Sequence, residues 1–314
     1  MKRVNLFMMA AFIAASVMFV SCEKDEDELE PSVSVKATYP GKSNVDIFDR
    51  QEIEEVEGTD ITFVIRFSMG TNKLKEVRMR SVIDGKTFNV LDSVNLDKGL
   101  FNTGAKYIDF TYRTNIGRNN ENLTFTALDT KERTGLFSVS LKPTTPQVVG
   151  EYAVKSATLL GGQKNATTGS FYSVSLGKVL TIGAAKSQST AVDFAYFYST
   201  ANNATIAAPN DAVVADVHYA NGLNIPTWAT KNATKFFIVE GADGSVPDEW
   251  WNNNIDKATN LTKAEKLVAG TVVIYQTGWH TGTNVKGAFV VESVTTTPSV
   301  EAGSITIKLI EKVK

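Results

Sequence analysis

The chain has one cysteine and two histidines among 314 residues. A single thiol closes no internal disulfide, so the folded part must be held by packing alone. His218 and His280 are the only imidazoles and no cysteine pair exists, so the common zinc ligand sets have no donors. The stretch "HTGTN" after Trp279 lacks metal-ligand spacing, and no metal site is expected. Basic residues are not concentrated anywhere: 32 Lys and Arg face 34 Asp and Glu, a formal net charge of −2. Without a basic block, nucleic acid is not an expected partner. No G-x-S-x-G elbow, P-loop or G-x-G-x-x-G is present, so no catalytic residue is assigned and no cofactor is expected.

Long apolar runs are equally scarce, and the one that exists is at the N-terminus. Lys2 and Arg3 precede an apolar stretch from Val4 to Val20, with the small Ser21 after it. These are the three parts of a cleavable export signal. A membrane-spanning helix needs about 20 apolar residues. This run falls slightly short and stops at acids, where a stop-transfer segment carries basic residues. The stretch Phe19-Val20-Ser21-Cys22 resembles the lipobox of bacterial lipoproteins, with Phe19 in place of the usual leucine. That resemblance implies removal of residues 1–21, diacylation of the Cys22 sulfur through glycerol, and Cys22 as the mature N-terminus. Each methylene buried in the bilayer contributes about 0.8 kcal/mol, so several acyl chains suffice for stable anchoring. Loss of Lys2 and Arg3 with the signal takes the net charge from −2 to −4.

Residues 22–31 then form an acidic tether, six acids and one lysine between Glu23 and Glu30. Such a tract is self-repelling and extended. It resembles the one that follows the lipidated cysteine in Bacteroidetes surface lipoproteins, which implies an outer-membrane protein exposed at the cell surface.

The remainder is rich in threonine, valine, serine, asparagine and glycine, residues of strands and turns. The expected fold is all-β: two β-sandwich-like domains in tandem, 32–143 and 147–314, the second with one or two short helices. In the first, Thr62-Phe63-Val64-Ile65-Arg66-Phe67 alternates with period two and puts Phe63, Ile65 and Phe67 on one face. Similar runs lie at Lys75 to Val82, Lys106 to Tyr112 and Leu123 to Leu128, and Asp84-Gly85 is a hairpin signal. The ending "ENLTFTALDTKERTGLFSVSLK" resembles the closing hairpin of immunoglobulin-like domains of bacterial surface proteins, although their Cys…Trp…Cys core pattern is absent. Pro143-Thr144-Thr145-Pro146 predicts an extended connector between the domains.

The second domain holds "SFYSVSLGKVLTI", "AVDFAYFYS", "TKFFIVE", "GTVVIYQT", "GAFVVESV" and "SITIKLIEKV". These resemble β-rich C-terminal domains of Bacteroidetes lipoproteins, over about half the chain. Asp193 is expected to turn away from Phe194, into solvent or onto a hydrogen bond. Pro247-Asp248-Glu249-Trp250-Trp251 predicts a helix start, with proline and acids in the first turn. Thr262-Lys263-Ala264-Glu265 has capping-box spacing, and Gly270 is placed to end a second helix.

Candidate binding residues are aromatic. Side chains of the tandem Trp250-Trp251 diverge, so one ring is expected in the core and the other at a domain edge, or exposed to stack on a sugar. Asp248, Asn252, Asn253 and Asn254 would supply polar partners. Trp279-His280, in a glycine-rich stretch, is the second candidate; Trp228 is expected in the core. Asp248 and Glu249 are better dipole partners at a helix start than a catalytic pair. Asp92-Ser93-Val94 resembles the O-glycosylation acceptor of Bacteroidetes periplasmic proteins. The sequons at Asn122, Asn165, Asn203, Asn232 and Asn260 carry no weight in a bacterial lipoprotein.

In placement and layout the chain resembles the accessory glycan-binding lipoproteins of polysaccharide-utilisation systems. That implies a non-enzymatic, lipid-anchored protein whose first sandwich is a spacer and whose second domain contacts glycan. An adhesin or fimbria-like subunit joining other proteins by strand donation is the alternative. A glycan-acting enzyme, which needs paired carboxylates in a cleft, is a third reading.

Overall fold

Period-two alternation builds the first sandwich. The computed structural model describes residues 28–95, 106–144, 147–149, 151–165, 167–219, 225–245, 247–277 and 285–312. Its first nine strands are β1 (Ser32–Tyr39), β2 (Lys42–Ile47), β3 (Gln51–Val56), β4 (Asp60–Ser68), β5 (Leu74–Ile83), β6 (Lys86–Asn95), β7 (Tyr107–Asn115), β8 (Glu121–Asp129) and β9 (Thr134–Thr144). One sheet has the order β2-β1-β4-β7 and the other β3-β9-β8-β5-β6. Ile61, Phe63, Ile65 and Phe67 of β4 all face inward and are buried, while Val64 and Arg66 face out. They meet Val77, Leu123, Phe125 and Val139 of the facing sheet in one core. The β5–β6 hairpin turns at Asp84 and Gly85 with φ of 49° and 73°. Asparagine, aspartate and glycine adopt that backbone most readily.

Two boundaries differ from the expectation. Pro143 lies inside β9, paired in parallel with Glu55 of β3. Pairing of β8 with β9 ends at Leu141, so a residue without an N–H breaks no bond on that side. At the other end, the acidic tether is already docked by Glu28. The Leu29 N–H donates to Thr71 Oγ1 at 2.8 Å, and Arg133 pairs with Glu28 at 2.9 Å. Gly70 and Gly135 let this segment lie against the sandwich, because a Cβ at either would collide with the backbone at Leu29 or Pro31.

The second part comprises β10 (Gln147–Val149), β11 (Tyr152–Gly161), β12 (Phe171–Ser173), β13 (Lys178–Leu180), α1 (Ile182–Ser187), β14 (Phe194–Ser199), β15 (Asn203–Ala207), α2 (Ala212–Tyr219), β16 (Lys235–Val239), α3 (Pro247–Asn254), β17 (Lys263–Ala264), β18 (Val272–Gln276), β19 (Lys286–Thr295) and β20 (Ser304–Lys312). Its sheets run β10-β11-β20-β19-β18-β16 and β13-β12-β14-β15-β17. The described residues are mostly β, 54% strand and 10% helix.

These strands read as unbroken apolar runs because both of their faces are covered. In β18, Val273 and Tyr275 point into the core between the sheets, while Val272 and Ile274 point out and are covered by α3. In β14, Phe194 and Tyr196 face the core, and Ala195 and Phe197 face a second layer holding α1, α2 and Trp228. Trp228 is thus core, 5.8 Å from the Phe171 ring. Asp193 is buried, and its Oδ2 accepts from the Val174 N–H at 2.7 Å. The helix expected at Pro247 is α3, whereas α1 and α2 come in addition. The one expected at Thr262 is instead strand β17, paired with Ile206 and Ala207. The Thr262 hydroxyl bonds Asp211, which in turn accepts the Val213 N–H at the start of α2, so it caps no turn of its own.

The two sandwiches meet along a polar seam. Asn115 Nδ2 donates to the Gly177 carbonyl and its Oδ1 accepts from the Val179 N–H, both at 2.8 Å. Lys155 and Glu311 of the second part join Glu57 and Arg118 of the first in one ion cluster. Lys178 pairs with Glu121 beneath it, both buried.

Candidate functional site

Strand β16 ends the six-stranded sheet, and the chain leaving it must turn back to lay α3 over the sheet's outer face. Gly241 makes that turn at φ +68°, where an L side chain would be strained. Asp243 holds the next step: its Oδ1 accepts from the Ser245 hydroxyl at 2.7 Å and the Ser245 N–H at 2.8 Å. These bonds hold the Asp243 carboxyl below the usual carboxylate range, because they favour the charged form. Pro247 then starts α3, with Asp248 and Glu249 in the first turn, where the helix dipole favours them.

Trp250 and Trp251 fix the helix to the sheet. Successive helical side chains diverge by about 100°, and here both directions end in protein. Trp251 packs on Tyr152 with ring centroids 5.3 Å apart, and Trp250 turns toward the loop after β16, where its Nε1 donates to the Asp243 carbonyl at 2.9 Å. Each is 3% exposed. The exposed stacking ring expected of this pair is therefore corrected: a helix lying flat on a wide sheet buries both neighbours. Burial, with the negative charges of Asp248 and Glu151, pushes the Tyr152 phenol up to about 12.

Between β16, its following loop and α3 lies a groove of about 470 Å³, lined among others by Val239, Glu240, Asp243, Glu249, Trp250 and Lys257. Asn254 Nδ2 donates to the Trp250 carbonyl at 2.6 Å, and its Oδ1 accepts from Lys257 Nζ at 2.7 Å. Lys257 Nζ also lies over the Phe237 ring, 5.4 Å from its centroid. That cation–π contact holds the ammonium against a wall of the groove. The groove thus combines apolar walls, three carboxylates and an amide.

Of the sequence candidates, Trp250 lines this groove as a buried wall, and Asn254, expected as a polar partner, lines it too, as does Glu249. Asn252 is exposed on α3 and does not line it. Cys22, Trp279 and His280 lie outside the described residues. Ser93 lies within β6. Glu240, Asp243 and Lys257 were not candidates, although "EGADGS" after an apolar run signals the turn that brings the first two to α3. Among the described residues no group of three or more His, Cys, Asp or Glu is placed to hold a metal ion. No family model matches the chain, and no curated protein matches it.

Proposed function

We propose that the protein is a lipid-anchored outer-membrane surface protein that captures glycan, without turning it over, in the groove beside Trp250. The observation that carries the reading is the groove itself, where apolar walls meet the carboxylates of Glu240, Asp243 and Glu249 around one space. Its lining is more polar than that of a typical drug-sized pocket, and convergent polar groups are what orient a ligand in such a site. Sugar hydroxyls donate well to carboxylates. Recognition is by these hydrogen bonds along the groove rather than by stacking on the buried tryptophan faces.

The first sandwich, read as an immunoglobulin-like spacer, suits this placement. Strand β4 runs from Asp60 beside the seam to Ser68 beside the docked Leu29. At about 3.3 Å per residue it separates the anchored end from the second sandwich by about 26 Å. Weak single contacts are sufficient on a surface where many copies act together.

Affinity electrophoresis against a panel of neutral, acidic and amino polysaccharides tests the groove. Glu240→Ala and Glu249→Ala are expected to lose the retardation that the unaltered protein shows with at least one polysaccharide. Retention equal in all three proteins removes the groove from the function. Intact-mass analysis of membrane-extracted protein tests the anchor, and an unmodified Cys22 rejects it.

A further inference from the structure

The groove beside Trp250 holds more negative charge than its own cation offsets. Glu240, Asp243 and Glu249 line it and are exposed, and Lys257 is the one basic side chain lining it among the described residues. The Lys257 ammonium is committed to Asn254 Oδ1 and the Phe237 ring, and it pairs with none of the three carboxylates. Elsewhere carboxylates such as Asp109, Asp129 and Glu311 each meet an arginine. Glu240 and Glu249 meet no cation among the described residues. Asp243 has its Oδ1 fixed by Ser245, while its Oδ2 takes no bond among those residues. The three acids are not gathered round one point, since no group of three among the described residues is placed to hold a metal ion. The counter-charge that fits is therefore spread along an extended molecule.

The free edge of β16 adds a second kind of contact. The Phe236 N–H points away from β18 and donates to the Leu261 carbonyl at 2.9 Å. Backbone groups two residues apart in a strand point the same way, so Ile238 presents its N–H and C=O on that side. No backbone partner meets them among the described residues. The Ile238 side chain packs in the core between the sheets, so it lines the groove on the α3 side through this edge. Between the Leu261 bridge and the Gly241 turn the opening is one residue long. That is too short to add a peptide strand, but it offers one donor and one acceptor beside the carboxylates, which only accept.

We infer that the ligand of this groove is a glycan of unacetylated amino sugars. Its ammonium groups face Glu240, Asp243 and Glu249, and its hydroxyls pair with the Ile238 edge. The assignment rests on the glycan-capture reading above and narrows it to cationic chains. Uronic and sulfated chains meet like charge there.

The test titrates the full chain at about pH 6, where amines are protonated and carboxylates ionised. The probes are glucosamine and galactosamine oligosaccharides, the neutral parent of each with hydroxyls in place of the amines, oligoglucuronate, and oligolysine. An exposed ion pair is worth up to about fivefold in affinity. With three carboxylates at work, at least one amino chain should bind saturably and at least about fivefold tighter than its neutral parent. Oligoglucuronate should be the weakest sugar chain, and oligolysine should compete at least about tenfold more weakly than the amino chain. In the double variant Glu240→Gln, Glu249→Gln the ratio of amino to neutral affinity should fall toward one. The same ratio should fall in the unaltered protein when salt is raised to about 1 M, where the Debye length is about 3 Å. No binding of either amino chain, equal binding of the neutral parents, equal competition by oligolysine, or a ratio unchanged in the double variant overturns the assignment. Neutral chains bound as tightly as amino ones, but lost in Glu249→Ala, overturn only the amine preference and leave glycan capture in the groove standing. Binding of every chain unchanged in Glu240→Ala and Glu249→Ala rejects the groove itself.

Discussion

Lys155 Nζ lies 2.7 Å from Glu311 Oε1, between neighbouring strands of the second sandwich, and 3.0 Å from Glu57 Oε1 of the first. Arg118 completes the group, with Nη2 donating to both Glu311 oxygens at 2.8 Å. Two cations and two anions from two domains are balanced in a space where Lys155 is 2% exposed. Removing any one leaves a buried charge uncompensated.

Lys155→Met is accordingly expected to destabilise the protein by about 3–5 kcal/mol, because Glu57 and Glu311 are left facing each other. Urea denaturation at neutral pH measures it. A loss below about 1 kcal/mol would show that the cluster adds nothing to the seam.

The same cluster gives an acid limb to stability. Burial alone would push the Glu311 carboxyl up, yet the Lys155 and Arg118 charges hold it below its ordinary value of 4.5. Its folded pKa is depressed, so the stabilisation is fully present above that ordinary value and is lost as pH falls through the folded one. Stability measured downward from pH 6 should therefore fall below about pH 4.5. In Glu311→Gln that fall should be shallower, from a lower starting stability.

Lys178 and Glu121 offer a cleaner separation of charge from packing. Lys178 Nζ also donates to Thr114 Oγ1 at 2.7 Å and to the Asn115 carbonyl at 2.9 Å. The Glu121 carboxylate in turn accepts from the Ser81 hydroxyl. Lys178→Met alone should cost about 3–5 kcal/mol, since a neutral hydroxyl does not compensate the buried charge left on Glu121. Adding Glu121→Leu should recover most of that loss. A double variant no more stable than the single one would contradict an electrostatic origin.

The tryptophan pair is expected to act through stability. Trp251→Ala should cost about 3–5 kcal/mol by opening the layer between α3 and Tyr152. Trp250→Phe keeps most of the packing and removes the Nε1 bond to the Asp243 carbonyl, for about 1 kcal/mol. Denaturation with tryptophan fluorescence checks both, and a native-like Trp251→Ala would place that ring outside the core.

The β5–β6 turn holds Gly85 at φ 73°. Gly85→Ala should cost about 1–2 kcal/mol there, because an L side chain is disfavoured in the left-handed region. Thermal denaturation reads the loss, and a variant as stable as the parent would indicate that the hairpin has another turn geometry available.

How much of this was legible beforehand depends on how local the cause is. The β4 strand could be read from Thr62 to Phe67 because one covered face imposes period two. The turn at Asp84-Gly85 and the start of α3 at Pro247 were legible for the same reason: φ preferences and helix dipoles act within a few residues. Thr262 shows the limit. Its spacing to Glu265 suits a cap, but the hydroxyl was taken by Asp211, 51 positions away. The unbroken apolar runs of β14 and β18 imply more than strands, since a strand without alternation needs a cover on each face. Those covers include α1, α2 and α3.

The linear chain determined its all-β character, the alternation of β4, the hairpin turn and the single thiol that excludes an internal disulfide, because each follows from composition or from neighbours within a turn or a strand. Tertiary packing alone decided that Trp250 and Trp251 are both buried, that Glu240, Asp243, Glu249 and Lys257 share one groove, and that Lys155 meets Glu57 and Glu311. Such relations join residues up to 156 positions apart. Which distant side chains meet depends on how sheets stack and helices lie over them, and no local preference encodes that.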